Sequence, residues 1–254
     1  AEDGIRARSP SRGLGDVYKR QNFKGAKNAI DAGVDKMCLP LSVSETHSKA
    51  NLNKSHEEVL AEIKKIAEYI KTLDEDKRPE FEGNLSTAFG CTLEGKVSEK
   101  VVVSLGAQMM ELGCDEVGLS DTTGYANPIQ IKRLIGLLKS EVGDHNLTSM
   151  HLHNTRGLGL ANALASIDEG ITTLDSSLGG IGGCPFAPGA SGNIVTEDLV
   201  FMLDSMGLKT GINIEALIEV NKTVKTFLPN EELYGFTIDS GLPKGYSKGG
   251  WGTN

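Results

Sequence analysis

Strand-like apolar runs alternate with helix-like segments through most of this chain, and this alternation restricts the folds that are open to it. The predicted strands cover residues 34–41, 81–89, 116–121, 147–153 and 172–177. Helical periodicity is found in residues 55–73, 98–112, 128–142, 158–169, 196–206 and 215–227. Strands and helices that alternate at about 35 residues per unit indicate a parallel sheet with helical crossovers.

Two α/β architectures fit this alternation: an open doubly wound sheet and a closed (β/α)8 TIM barrel. No Gly-rich phosphate loop follows the first strand, whereas polar clusters end several strands, at residues 42–45, 86–87, 120–122 and 151–154. Barrel active sites are assembled at these strand ends, so the pattern favours the barrel. Only five clear strands and a very short sixth one near Asn193 are found, so we expect an incomplete barrel.

Composition excludes several classes of function. The net charge of −8 argues against non-specific binding to nucleic acid or to an anionic membrane surface. No apolar run approaches the ~20 residues that span a bilayer. The four cysteines lack paired spacing, and no secretory signal is visible, which favours reduced, intracellular thiols. They are Cys38, Cys91, Cys114 and Cys184.

The strongest local signal is a pair of histidines, His151 and His153, inside an apolar strand. Alternate residues of a strand point to the same face, so the two imidazoles are expected to project together. This spacing suits two ligands of one metal ion. The alternative is that the two histidines line the barrel with their hydrogen bonds satisfied and bind no metal.

A glycine-rich segment surrounds Cys184, with prolines on its C-terminal side at positions 185 and 188. Such a segment continues neither a helix nor a strand, and is therefore a loop. A thiol on a loop above a metal site can serve as a catalytic acid or base. A plain surface turn is the alternative. Gly182 and Gly183 of this loop are candidate substrate-binding residues.

Further candidates lie at the strand ends. The side-chain oxygen of Asn193 could be a metal ligand, or the residue could belong to a turn. Asp121 could act on the substrate or a metal, or could cap the next loop. Ser86 and Thr122 are candidate substrate-binding residues. Histidine nitrogens combined with oxygen donors suggest Mg²⁺ or Mn²⁺, which would act as a Lewis acid in a retro-aldol or retro-Claisen step.

Four blocks of sequence resemble the 3-hydroxy-3-methylglutaryl-CoA lyases, metallolyases built on a TIM barrel. The blocks are STAFGCTLEGKVS (86–98), LSDTTGYANP (119–128), HLHNTRGLGLANALA (151–165) and DSSLGGIGGCPFAPGASGNIVTEDLVFML (175–203). They occur in the family's order, and the resemblance covers residues 22–227. It implies cleavage of 3-hydroxy-3-methylglutaryl-CoA to acetoacetate and acetyl-CoA, the chemistry of leucine degradation and ketone-body formation.

The resemblance also implies roles for single residues. His151, His153 and Asn193 would be metal ligands, Cys184 the catalytic thiol and Asp121 a functional aspartate. The family's first strand carries an Arg-Asp pair that this sequence lacks, so strands one and two of the barrel are expected to be missing. A chain without that pair is expected to bind metal weakly and to be inactive or nearly so. The alternatives are a condensing enzyme similar to isopropylmalate synthase and a non-catalytic fragment.

These patterns predict three regions. Residues 1–21 are a non-native or disordered leader, since residues 16–21 resemble a translated sequencing linker; a transit peptide is the alternative. Residues 22–230 form the partial barrel domain, and residues 231–254 a flexible C-terminal tail. The expected partner is an acyl-CoA substrate, with no nucleic acid and no membrane. The resemblance suggests a homodimer, and the expected location is the cytoplasm, with the mitochondrial matrix as the alternative.

Overall fold

The computed structural model describes residues 22–182 and 192–246, and within these ranges five strands form one sheet. All neighbouring strands run parallel, in the order β1-β2-β3-β4-β5. The strands are β1 (Lys36–Ser42), β2 (Glu80–Ser86), β3 (Glu116–Asp121), β4 (Leu147–Leu152) and β5 (Thr173–Asp175). All five predicted strands are confirmed, and their order in the sheet follows their order in the chain.

Nine α-helices lie within the described residues. They are α1 (Phe23–Asp31), α2 (Glu45–Leu52), α3 (His56–Lys71), α4 (Glu99–Glu111), α5 (Pro128–Val142), α6 (Gly159–Asp168), α7 (Thr196–Ser205), α8 (Ile214–Phe227) and α9 (Phe236–Ser240). The six predicted helices correspond to α3–α8, with ends that agree within two residues. Helix α2 has no apolar stripe that could have predicted it, because its buried residues are His47 and Ser48.

Local chemistry explains where the long helices begin. Ser55 and Glu58 form a capping box at the start of α3, in which each side chain accepts a hydrogen bond from the other residue's backbone N–H. Asn127 caps α5, and Pro128 takes the first position, where a missing N–H costs nothing. These caps fix the points at which the chain leaves the loops above the sheet.

The two faces of the sheet differ sharply in polarity. One face is apolar and packs against the helices; its buried residues include Leu39, Leu41, Phe81, Leu85, Val117, Leu119, Met150 and Leu152. The alternate residues form the other face, which has polar side chains on every strand, from Lys36 and Ser42 on β1 to Asp175 on β5. A doubly wound sheet is covered by helices on both faces and is apolar on both. One polar face therefore fits the inner wall of an incomplete (β/α)8 barrel.

The very short sixth strand predicted near Asn193 is not a strand in the structure. Two isolated bridges take its place, between His153 and Asn193 and between Ser177 and Val195. The amide of Ile194 donates to the carbonyl of Leu152 at 3.1 Å. The bridges run in opposite senses, so no continuous ladder forms. The segment thus contacts the residues that follow β4 and β5, and within the described residues it adds no sixth strand beside β5.

The predicted leader lies outside the described residues. The region predicted as a C-terminal tail contains α9, whose first backbone amides are held by a carboxylate: Asp198 accepts from Phe236 N at 3.1 Å and from Thr237 N at 2.7 Å. The three cysteines that the structure describes, Cys38, Cys91 and Cys114, are free. None of the described helices is long and apolar enough to span a membrane.

Candidate metal and substrate site

The side chains of His151 and His153 converge at the carboxyl end of β4. Their Nε2 atoms are 3.1 Å apart, so the prediction that both imidazoles share one face is confirmed. His153 is buried, and the side chain of His151 is 20% exposed. The 3.1 Å separation is that of a hydrogen bond between neutral imidazoles. It is also close to the ~3.0 Å between two ligand atoms at right angles around an ion ~2.1 Å from each.

Asp175 faces His151 from the neighbouring strand, and the sequence did not single it out. Its Oδ2 lies 3.4 Å from His151 Nδ1, and the two residues are direct partners in the register of β4 and β5. A carboxylate on the far nitrogen fixes the tautomer of a metal-binding histidine and aims Nε2 at the metal. The signal that could have identified Asp175 is that it is the one charged residue of the predicted strand 172–177.

Asn193 lies beside His153 through the antiparallel bridge between the two residues. Its side-chain nitrogen donates to the carbonyl oxygen of Ile181 at 3.1 Å and approaches Ser177 Oγ at 3.4 Å. The side-chain nitrogen of Asn193 is thereby used in hydrogen bonds to Ile181 and Ser177. The side-chain oxygen is the atom that could act as a metal ligand. The structure brings the three predicted metal ligands to one corner of the sheet.

The donor set fits a divalent cation only in part. Within the described ranges, no group of three or more His, Cys, Asp or Glu side chains is placed to hold a metal ion. Two imidazole nitrogens and one amide oxygen supply three donors, and a six-coordinate ion such as Mg²⁺ completes its shell with water, substrate or further protein oxygens. The residues present are compatible with such an ion as a partial ligand set.

One residue from each strand forms a row across the inner face at the level of His151. The strand register pairs Ser42 with Ser86, Ser120 with His151, and His151 with Asp175. Ser86 follows Leu85, the partner of Leu119, so it stands beside Ser120. Three hydroxyl groups therefore lead along the sheet to the histidine pair, and the predicted substrate residue Ser86 belongs to this row.

The hydroxyl of Ser120 has a fixed direction. It donates to Asn84 Oδ1 at 2.5 Å, while Asn84 Nδ2 donates to the carboxylate of Glu82 at 3.3 Å. Lys36 Nζ lies 2.9 Å from the other oxygen of Glu82. The Glu82 carboxylate is therefore ion-paired and accepts the hydrogen bond from Asn84. Because the single proton of Ser120 is directed at Asn84, Ser120 presents only lone pairs to a ligand beside His151.

Gly118 leaves the room for this buried network. A Cβ atom at this position would clash with Ser149 Oγ and would lie 2.8 Å from Asn84 Nδ2. Ser149 Oγ donates to Glu82 at 2.7 Å, so the same carboxylate links β2 to β4 two residues before His151. A residue without a side chain is thus required at position 118 for the hydrogen bonds among Glu82, Asn84 and Ser149 to form.

Asp121 holds the loop that follows β3. Its two carboxylate oxygens accept from Tyr125 N at 2.8 Å and from Ala126 N at 3.1 Å. Burial raises the pKa of Asp121 to about 6, against the opposing effects of those two amides and of the nearby Arg156 guanidinium. A carboxyl group with this pKa can accept or release a proton near neutrality. Its role as a functional aspartate stays a prediction.

Thr122 joins two strand ends by accepting from Thr87 N at 2.9 Å. Thr87 has a φ of 56°, a left-handed conformation that is uncommon for a threonine. Strained backbone of this kind is found often at functional sites. Thr122 is buried, so its predicted contact with substrate requires a ligand that enters between these loops.

The base of the glycine-rich loop is held from both sides. Gly179 N donates to the buried carboxylate of Glu197 at 3.1 Å, and Gly179 O accepts from Tyr234 N at 2.8 Å. Gly182 has a φ of 111°, and a Cβ atom there would lie 2.9 Å from Asn193 Nδ2. The predicted residues Gly183 and Cys184 lie outside the described residues.

These features place the chain among the α/β proteins that build a polar site at the carboxyl end of a parallel sheet. Comparison with protein families matches residues 16–224 to the HMGL-like family. The chain belongs to this family. A curated relative, the hydroxymethylglutaryl-CoA lyase YngG of Bacillus subtilis, is 39% identical over 204 residues, which are 80% of this chain and 67% of the relative.

Other relatives agree with this assignment. The cytoplasmic 3-hydroxy-3-methylglutaryl-CoA lyase of Homo sapiens is 35% identical over 213 residues, 81% of this chain and 56% of the relative. The chain thus spans between about half and two thirds of the length of these curated relatives. A solved structure of an HMG-CoA lyase from Acinetobacter baumannii, in complex with coenzyme A and 3-methylmalate, has a TM-score of 0.82 and 36% identity, covering 95% of this chain and 83% of that one.

Proposed function

We propose that this protein cleaves 3-hydroxy-3-methylglutaryl-CoA to acetoacetate and acetyl-CoA. The observation that carries the proposal is the convergence of His151 and His153 Nε2 atoms, 3.1 Å apart, at the site end of the sheet. The family assignment and the names of the relatives support the substrate. The coenzyme A complex of the Acinetobacter relative supports an acyl-CoA ligand.

The reaction breaks the bond between C2 and C3 of the acyl chain. The C3 hydroxyl loses its proton and becomes the ketone of acetoacetate, while the electron pair of the broken bond goes to C2. Protonation of C2 then completes acetyl-CoA. A bound Mg²⁺ or Mn²⁺ would supply Lewis acidity toward the substrate oxygens. His151, His153 and Asn193 would hold that ion.

The chain's own residues have separate tasks in this scheme. Asp175 orients His151, and Ser120 offers an acceptor beside it for the C3 hydroxyl. Asp121 is the proposed proton carrier among the described residues, because burial brings its pKa near neutrality. The thiol of Cys184 is proposed to exchange a proton with C2, as the family resemblance implies.

Further proposals concern the state of the protein. A homodimer and a place in leucine degradation or ketone-body formation are proposed from the family resemblance, and a cytoplasmic location from the unpaired cysteine spacing, with the mitochondrial matrix as the alternative. Relatives named cytoplasmic and relatives named mitochondrial are similarly close to this chain, at 35% and 37% identity. Size-exclusion chromatography with light scattering measures the first of these proposals directly.

A direct test measures acetoacetate formed from 3-hydroxy-3-methylglutaryl-CoA with added Mg²⁺ or Mn²⁺. We expect a low rate, since the described ligand set is partial. This rate should require the metal and be lost in His151→Ala. A condensing enzyme would instead release free coenzyme A from acetyl-CoA and a 2-oxo acid. Such release, without acetoacetate formation from the thioester, would overturn the proposal.

A further inference from the structure

A buried histidine and two serines form a continuous hydrogen-bonded relay at the site end of β1 and β2. His47 Nδ1 lies 2.8 Å from Ser42 Oγ, and Ser42 Oγ lies 3.2 Å from Ser86 Oγ. His47 is 1% exposed and Ser42 is 2% exposed, whereas Ser86 is partly exposed. The relay therefore begins at a buried histidine and continues through two members of the row of side chains that leads to His151.

The position of His47 is fixed independently of this relay. Ser44 caps α2 and accepts from His47 N at 3.1 Å, while the hydroxyl of Ser44 donates to Glu94 at 2.6 Å. The carbonyl oxygen of Ser42 is in turn 2.9 Å from His56 Nε2. The imidazole of His47 is thus held against Ser42 by backbone that is anchored on both sides.

A single proton on each hydroxyl makes the relay directional. Burial lowers the pKa of His47, so the ring is neutral near pH 7 and has one N–H. If Nδ1 has the proton, it donates to Ser42, Ser42 donates to Ser86, and Ser86 keeps its own proton for a ligand. If Nε2 has the proton, Ser42 donates to His47, Ser86 donates to Ser42, and Ser86 can only accept.

We propose that His47 is a positioning residue which, through Ser42, holds the hydroxyl of Ser86 as a hydrogen-bond donor toward an oxygen of the bound acyl group. The inference rests on the proposed function, which names that group. The acyl chain of 3-hydroxy-3-methylglutaryl-CoA has a carboxylate and a thioester carbonyl, which only accept, and one hydroxyl. Ser120 already presents an acceptor, so a donating Ser86 makes the row complementary to a 3-hydroxy acid.

The tautomer is measured by long-range ¹H–¹⁵N correlation of the imidazoles in the uniformly labelled full chain. The signals of His47 are assigned by their absence in His47→Phe. We expect a protonated Nδ1, and a change of its shift in Ser42→Ala. A protonated Nε2 in the wild-type chain would overturn the proposal, because Ser86 would then be an acceptor.

Binding tests the consequence without any need for turnover. Calorimetric titrations compare 3-hydroxy-3-methylglutaryl-CoA with coenzyme A, which lacks the acyl group, at a fixed Mg²⁺ concentration. His47→Phe keeps a ring but removes the donor, and we expect it to weaken the thioester about tenfold while leaving coenzyme A unchanged. His47→Asn restores a donor near Nδ1 and should recover most of the loss, and the exposed His145→Phe is the matched control.

Each other outcome has a distinct meaning. Equal weakening of both ligands by His47→Phe, or no weakening at all, would overturn the positioning role. If the wild-type chain binds the thioester no better than coenzyme A, no acyl recognition exists and the relay has no ligand. If the wild-type chain binds neither ligand, the proposed function fails as well. Thioester binding by the wild-type chain that His47→Phe does not change would overturn only the role of His47.

Discussion

The Nδ1 atom of His151 lies 3.4 Å from Oδ2 of Asp175, while its Nε2 lies 3.1 Å from Nε2 of His153. One imidazole is therefore held between a carboxylate on β5 and a second imidazole that directly follows its own strand. This arrangement directs a nitrogen lone pair of His151 toward the corner where Asn193 also lies.

Asp175→Asn removes the charge behind His151 with little change in size. We expect the affinity for Mn²⁺ to fall about tenfold, because partners of metal-binding histidines typically contribute 10- to 100-fold. Titration calorimetry with Mn²⁺ measures the change. Asp168→Asn, at an exposed carboxylate that pairs with Lys132, is the matched control. Equal affinities in wild-type protein and Asp175→Asn would mean that the carboxylate does not orient the ligand.

Asp121 should make stability depend on pH. Its pKa is raised in the folded state from the ordinary 3.8 to about 6, so the folded protein binds the proton more tightly than the unfolded chain. The resulting stabilisation is fully present below about pH 4 and is lost as the pH rises through about 6. It amounts to roughly 1–3 kcal/mol.

Urea unfolding of wild-type protein and Asp121→Asn at several pH values checks this sign. The difference in unfolding free energy between the two proteins should grow in favour of the wild type as the pH falls from 8 to 4. Asp121→Asn also loses an acceptor for one loop amide, which adds a pH-independent cost. A difference that stays constant over this range would contradict the raised pKa.

Gly118→Ala and Gly136→Ala are the same substitution with opposite expected effects. At Gly118 the new methyl group clashes with the network around Glu82, and we expect a loss of about 1–3 kcal/mol of unfolding free energy. At Gly136, inside α5, a Cβ atom meets nothing within 4 Å, and a gain of about 0.5–1 kcal/mol is expected. Losses of the same size in both variants would argue against a specific role of Gly118.

Much of the fold was predictable because period-two and helical patterns are local properties of the sequence. The same locality made the convergence of His151 and His153 predictable, since two residues separated by one along a strand share a face. Asp175 could not be found in this way. Its contact with His151 depends on the register of β4 against β5, which the local pattern of neither strand specifies.

Two other residues show the limit of pattern reading. Asp121 was expected at a strand end, but whether its carboxylate faces a ligand or holds the next loop depends on the course of residues 122–126. His47 lies on a helix without an apolar stripe, so no periodicity marks it as buried. In both cases the hydrogen-bond partners are only three to five residues away, but loop geometry that no periodic pattern encodes brings them into contact.

Mn²⁺ titration followed by electron paramagnetic resonance tests whether His151 and His153 together hold a divalent cation for a 3-hydroxyacyl-CoA substrate. The free-ion signal is recorded for the full chain with and without 3-hydroxy-3-methylglutaryl-CoA. We expect one Mn²⁺ to be bound per chain, more tightly with the thioester, and binding to be lost in His151→Ala and His153→Ala but retained in His145→Ala. Unchanged Mn²⁺ binding by the variant that lacks both His151 and His153 would show that the two histidines do not hold the ion.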